Sequence, residues 1–194
     1  EAPKSEMPHM VKPMLAETVE EPFNDKDWLF ELKLDGYRAV AEIGLPSSLR
    51  GGTTKQSPNP QHSEIAALSS VARNDGRVKL YSRNHQPYNE KFASVVENLA
   101  KFPGNAVIDG EVVVVDKDGK PNFGWLQKYP KEKNPVSAKS SGEVKGELRY
   151  YVFDILYFDG HNLEKLPLVR RKGILKQLLP PIPHIFFSDH IESA

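Results

Sequence analysis

Residues 27–43 read DWLFELKLDGYRAVAEI, and the fold turns on how that run is divided. Trp28, Phe30, Leu32 and Leu34 alternate with Leu29, Glu31 and Lys33, the two-residue period of a strand with one buried face. Gly36 breaks the alternation and residues 37–43 resume it. The spacing therefore predicts two strands, 27–34 and 37–43, in a hairpin-like unit. Lys33 is the odd member, an ammonium group in an apolar run with Asp35, Gly36 and Arg38 close behind. A lysine on a strand is ordinarily a solvated face residue. The alternative is a nucleophile. Only the neutral amine attacks, so a low-dielectric pocket with Arg38 or a bound divalent metal nearby would have to depress its pKa. On that reading Asp35 and Gly36 shape a tight turn that lets a nucleotide approach the backbone.

Working outward, residues 1–26 are rich in proline and acid and read as an extended leader. Residues 44–76 are dominated by Gly, Pro, Ser, Thr and Asn, and a loop of this length reads as a tolerated insertion that protrudes or stays disordered. Strand patterning returns at 77–83. In 87–102, Phe92, Val95, Val96, Leu99 and Phe102 fall at helical spacing. Residues 105–123 hold an apolar strand followed by an Asp-Gly turn at 118–119. Residues 128–147 read as a connector. A second strongly apolar strand, 147–160, ends in another Asp-Gly turn. A helix over 167–179 and a short strand over 184–190 complete the pass.

Bulk composition narrows the function classes. With 194 residues, 39% hydrophobic and 27% charged, the chain can bury a proper core. Its 26 basic and 26 acidic residues cancel, so no overall basic footprint for nucleic acid is present, although a local basic face is compatible. The absence of cysteine excludes disulfides, zinc–thiolate sites and cysteine nucleophiles. No apolar run approaches the roughly 20 residues of a membrane span, and EAPKSEMPHM lacks the apolar core of a secretory signal. The first residue is not Met, which suggests an excised or processed piece.

Three further stretches carry chemistry. In IDGEVVVVD (108–116), Asp109 and Glu111 flank a glycine within an apolar run. A bulge explains the glycine, but buried carboxylates need partners, and a ribose hydroxyl or a metal-bound phosphate would suit Glu111. In YYVFDILYFDG (150–160) the aromatics read as core, yet Asp154 after Phe153 means that one face meets something polar. In YSRN (81–84), Arg83 ends a strand. It is either a surface group or a bidentate anion contact.

Taken in order, these stretches resemble the adenylation domain of ATP-dependent DNA ligases, most closely the bacterial ligase D type used in non-homologous end joining. KLDGYR (33–38) is similar to motif I, Lys-x-Asp-Gly-x-Arg; YSRN resembles motif Ia, IDGEVVVVD motif III and YVFDILYFDG motif IIIa. The resemblance spans most of residues 8–192. It implies an α+β fold of the nucleotidyltransferase, ATP-grasp-like kind, with antiparallel sheets and flanking helices forming one partial domain over 1–194. It implies that Lys33 takes AMP from ATP through a phosphoramidate, with Glu31 beside the adenine and Phe153 stacked on the purine. Arg38 would touch ribose or phosphate, Arg83 the phosphate or nick side, and Glu111 the ribose and a magnesium or manganese ion. Nicked or broken duplex DNA, a Ku-like end-binding protein and a cytoplasmic location are implied too.

Two departures accompany the resemblance. The 44–76 segment has no counterpart between motifs I and Ia. The sequence also stops at SDHIESA, where the family continues to Glu-Gly-x-x-x-Lys and Lys-x-Lys. Loss of those charge contacts at a developing phosphoryl charge would leave the isolated chain inactive or very weak. The rival readings are an RNA ligase or mRNA-capping enzyme, which share Lys-x-Asp-Gly, and a non-catalytic nucleotide-binding or docking module.

Overall fold

The run after Gly36 becomes β2 (Tyr37–Ile43), the first of six strands in the main sheet. The others are β3 (Val78–Ser82), β4 (Ala106–Val115), β5 (Glu147–Phe158), β6 (His161–Asn162) and β7 (Ile185–Phe187). Their order is β3–β2–β4–β5–β6 with antiparallel neighbours, and β7 pairs parallel with β5. The computed structural model describes residues 2–44, 77–129 and 146–192. The expected insertion, from residue 45 to 76, and residues 130–145 of the expected connector lie outside them. The predicted mixture of antiparallel sheet and flanking helices is what the described residues form.

One face of the sheet makes the main core. Ala39, Ala41 and Ile43 of β2 join Ile108, Val112 and Val114 of β4 and Tyr150, Val152 and Ile155 of β5. Among the described residues three helices complete it: α1 (Ala93–Leu99), α2 (Phe123–Gln127) and α3 (Leu168–Leu178). The helix predicted over 87–102 is shorter than its apolar pattern, but Phe92, Val95, Val96, Leu99 and Phe102 are all buried as the spacing requires. The five-residue α2 has no sequence-level counterpart, being too short for periodicity to register. It starts on a cap, with Asn122 Oδ1 accepting from Trp125 N at 3.0 Å.

The predicted hairpin of 27–34 with 37–43 does not form. Only Leu29–Glu31 is strand, β1, and it pairs antiparallel with β8 (His190–Glu192) in a separate two-stranded ribbon. Both edges of β2 are already taken, by β3 and β4, so no edge is open to β1. The alternating face of 27–34 is correspondingly not a core face: Leu32 is 84% exposed and Trp28 56%. Gly36 is demanded by packing on β4. A Cβ there would sit 2.3 Å from the Val112 carbonyl oxygen and 2.7 Å from Val113 Cγ1.

The opposite face of the sheet is partly covered by the chain's first residues. Met7 and Val11 pack on Val40, Tyr81, Val107 and Tyr157. Buried Glu42 lies 2.9 Å from His9 Nδ1 and accepts from Met10 N, so its charge is partnered. Val11 N donates to the Tyr81 hydroxyl at 2.9 Å. This seam leads residues 12–16 to the rim of a cavity over the rest of that face. Among the described residues no helix is long and apolar enough to cross a membrane.

Candidate active site

The cavity has a volume of about 1230 Å³, and Glu31, Lys33, Arg38, Arg83, Glu111 and Phe153 all line it. They come from six places in the fold. Glu31 ends β1, Lys33 lies two residues beyond it, Arg38 is on β2, Arg83 follows β3, Glu111 is on β4 and Phe153 on β5. Lys33 and Arg83 are exposed, whereas Arg38 and Phe153 are half-buried.

Phe153 owes its place to a bulge. Across β4 and β5, Asp109 faces Asp154 and Gly110 faces Val152, so Phe153 is the extra residue on its strand. An unpaired bulge residue re-aims its side chain relative to the regular pleat. Arg38 lies against it, with its guanidinium carbon 5.4 Å from the ring centroid. The same guanidinium grips Asp109 with two bonds, Nε to Oδ1 at 3.2 Å and Nη2 to Oδ2 at 2.7 Å. Next to it, Arg171 of α3 holds Asp154 in the same forked way, at 2.8 and 2.9 Å. Asp109 and Asp154, two acids inserted in apolar strands, therefore each have a bidentate arginine.

Electrostatics follow from burial and these pairs. Burial pushes the Asp109 carboxyl above its ordinary pKa, and Arg38 only partly restores it. Burial alone would lower the pKa of Arg38, but its bond to Asp109 and the nearby Glu111 and Asp154 charges hold it above its usual value. Glu111 is also raised, by burial first, against the Gly36 N–H and the charges of Arg38 and Lys33. Gly36 N donates to Glu111 Oε1 at 3.1 Å, which ties the loop carrying Lys33 to β4.

Of the three β4 and β5 acids that line the cavity, Glu111 is the one without an arginine clamp. Among the described residues no group of three or more His, Cys, Asp or Glu is placed to hold a metal ion. A metal here would take one carboxylate from Glu111 and its other ligands from phosphate oxygens and water, a pattern that suits magnesium.

The sequence reading missed three groups: Asp109 as the clamp on Arg38, the Asp154–Arg171 pair, and Lys172. The last is fully buried, and its Nζ donates to Glu31 Oε1, to the Phe153 carbonyl at 3.2 Å and to the Ser188 carbonyl at 3.0 Å. The Glu31 carboxylate is therefore engaged by protein. The signal available beforehand was that acids in apolar strands demand cations. The cations sit together as RRK at 170–172, but Lys172 and Glu31 are 141 positions apart, beyond any local pattern.

Comparison with known proteins agrees with this architecture. Residues 69–193 match the family described as ATP dependent DNA ligase domain. The SPbeta prophage-derived DNA ligase-like protein LigB of Bacillus subtilis is 28% identical over 177 residues, covering 91% of this chain and 50% of LigB. The multifunctional non-homologous end joining protein LigD of Pseudomonas aeruginosa is 30% identical over 178 residues, covering 91% of this chain and 16% of that protein. The chain thus spans half or less of the length of these relatives. Among solved structures, the ligase domain of M. tuberculosis LigD superposes with a TM-score of 0.53 at 22% identity, covering 84% of this chain and 40% of that one. A mycobacterial DNA ligase D complexed with ATP and MES gives 0.52 at 20% identity, covering 85% and 40%. These two likenesses show a shared fold. Matched by the family over 125 of its 194 residues (69 to 193 inclusive), this chain belongs to the ATP-dependent DNA ligase domain family.

Proposed function

We propose that residues 1–194 are part of an adenylation domain, with an insertion at about 44–76, in which Lys33 is the nucleophile toward ATP. The observation that carries this reading is the convergence of Lys33, Arg38, Glu111 and Phe153 on one cavity from separate strands and loops. Lys33 Nζ attacks the α-phosphorus as the bond to pyrophosphate breaks, and its surplus proton leaves to solvent. The resulting lysyl-AMP passes its adenylyl group to a DNA 5′-phosphate, and a 3′-hydroxyl then displaces AMP to close the strand. ATP as donor draws support from the mycobacterial ligase D solved with it.

Each side chain has a role that its surroundings permit. Phe153, on its bulge, stacks on the purine. Glu31 lies beside the adenine in this reading, and with its carboxylate engaged by Lys172 its backbone is left to meet the base. Arg38 is oriented by Asp109 toward ribose or phosphate, and exposed Arg83 serves the phosphate or the nick. Glu111 binds the ribose and would hold magnesium or manganese. A bound ion would neutralise phosphate charge. Broken duplex DNA as substrate in end joining is the setting suggested by kinship to LigD, and a Ku-like partner and a cytoplasmic location belong to the same proposal.

The test is intact mass after incubation with magnesium and ATP, beside Lys33→Ala and with GTP in a parallel sample. A slow and partial gain of one AMP in the unmodified chain alone, and none with GTP, is expected. An adduct that survives Lys33→Ala overturns the assignment of the nucleophile. ATP bound without any adduct overturns the transfer and leaves a nucleotide-binding module.

A further inference from the structure

We propose that Lys172 is a positioning residue for AMP transfer: its buried ammonium fixes the strand leading into Lys33 against the β5 bulge that presents Phe153. The inference rests on the reading of Lys33 as the nucleophile. β1 lies outside the six-stranded sheet and its ribbon holds only three residue pairs. A two-stranded ribbon by itself is marginal in water, so β1 needs an attachment to the main body. Lys172 supplies one. Its Nζ reaches the Glu31 carboxylate on β1, the Phe153 carbonyl on the bulge and the Ser188 carbonyl between β7 and β8. Three N–H donors meet three acceptors, one on each element that must keep register.

Its chemistry is more directional than a packing role requires. Lysine is almost never fully buried without a partner, and an apolar residue of similar volume would fill the same space with no desolvation cost. What the ammonium adds is orientation. The Phe187 ring lies over it, 5.0 Å from Nζ, and the bond to Ser188 is buried while those to Glu31 and Phe153 are partly so. Lys176, one turn further along α3, makes the contrast. It is largely exposed, reaching Asp189 at 3.3 Å and lying 5.3 Å from the Phe187 ring centroid, and among the described residues it bonds neither a carbonyl of the bulge nor a carboxylate of β1. In-line attack needs Lys33 Nζ and the purine-bearing Phe153 in fixed relation, and an error of about 1 Å between reacting groups costs on the order of a hundredfold in rate. Lys172 touches the chain at both ends of that relation.

The test uses the whole chain with Lys172→Met, Glu31→Gln, the double variant, and Lys176→Ala as control. Single-turnover AMP attachment at saturating ATP should fall about tenfold to a hundredfold in Lys172→Met, while the ATP concentration for half-saturation moves by less than about threefold. Glu31→Gln should shift the rate in the same direction, and the double variant should be no slower than the slower single. Hydrogen exchange at 29–31 and 190–192 should quicken while β4 stays protected. A Lys172→Met chain that transfers AMP at the unmodified rate overturns the proposal, as does a defect confined to ATP affinity. Should Lys172→Met fail to fold, Glu31→Gln decides, because it cuts the same bond from the partly exposed side; an unchanged rate then overturns the proposal. If the unmodified chain takes up no AMP, the reading of Lys33 fails by itself. Exchange at 29–31 then decides the tether: faster exchange in either variant sustains it, and unchanged exchange overturns it.

Discussion

β4 and β1 both lead into the cavity, and they are held in opposite ways. β4 is ten residues long, is paired on both edges and is buried over nearly its whole length. β1 is three residues long and, among the described residues, pairs only with the three-residue β8, with exposed Leu32 immediately after it. The strand with the most cooperative support carries Asp109 and Glu111, charges that are costly inside a sheet and need exact partners in fixed places. The strand with the least support leads to Lys33, whose Nζ, in the proposed reaction, reaches a phosphorus atom and later releases it. Local stability tracks buried contact and pairing, so one side of the cavity is held by the sheet itself and the other depends on single attachments such as the Lys172 bonds.

The largest blow to this contrast falls on β4. A Cβ at Gly110 would meet the Tyr151 carbonyl oxygen at 2.4 Å and the Tyr150 ring at 2.6 Å. Gly110→Val should therefore cost about 3 kcal/mol of stability, seen as a lower urea midpoint. A midpoint equal to the unmodified chain's would mean that β4 is not the rigid member.

A finer probe is Glu111. Burial raises its folded-state pKa above the ordinary value, so between those two values the folded chain binds more protons than the unfolded one. Its contribution to stability is present below the unfolded pKa and is lost as pH rises through the folded pKa. Urea unfolding of Glu111→Gln across that window should show the variant gaining relative to the unmodified chain as pH rises. A difference independent of pH would sink the assigned shift. The smallest effect is expected at Lys176. Its exposed pair with Asp189 should be worth under about 0.5 kcal/mol when Lys176→Ala is unfolded in urea.

Much of the sheet was legible because burial imposes a period. Residues 37–43, 77–83 and 147–160 alternate or run apolar, and each became a strand with nearly those bounds. The α1 face was readable in the same way, since five apolar residues at helical spacing all found the core. Alternation misled at 27–34, where the pattern is present but its face is open. A period reports which side chains agree with one another and says nothing of which strand they meet. The six cavity residues were legible through motif order, although no local rule would have assembled them. Asp109 was read as a polar intrusion, and its bond to Arg38 spans 71 positions.

By itself, then, the sequence determined most strands of the main sheet, the apolar face of α1, the resemblance to ligases and six of the residues that line the cavity. These depend on local period and on residue chemistry, which each stretch carries with it. Only the tertiary structure decided that β1 pairs with β8, that a bulge presents Phe153, that arginines neutralise Asp109 and Asp154, and that Lys172 joins the ribbon to the sheet. All four depend on groups far apart in the chain being brought together. A buried charge accepts whichever partner the packed core delivers, and that choice is made by geometry that no short window of sequence contains.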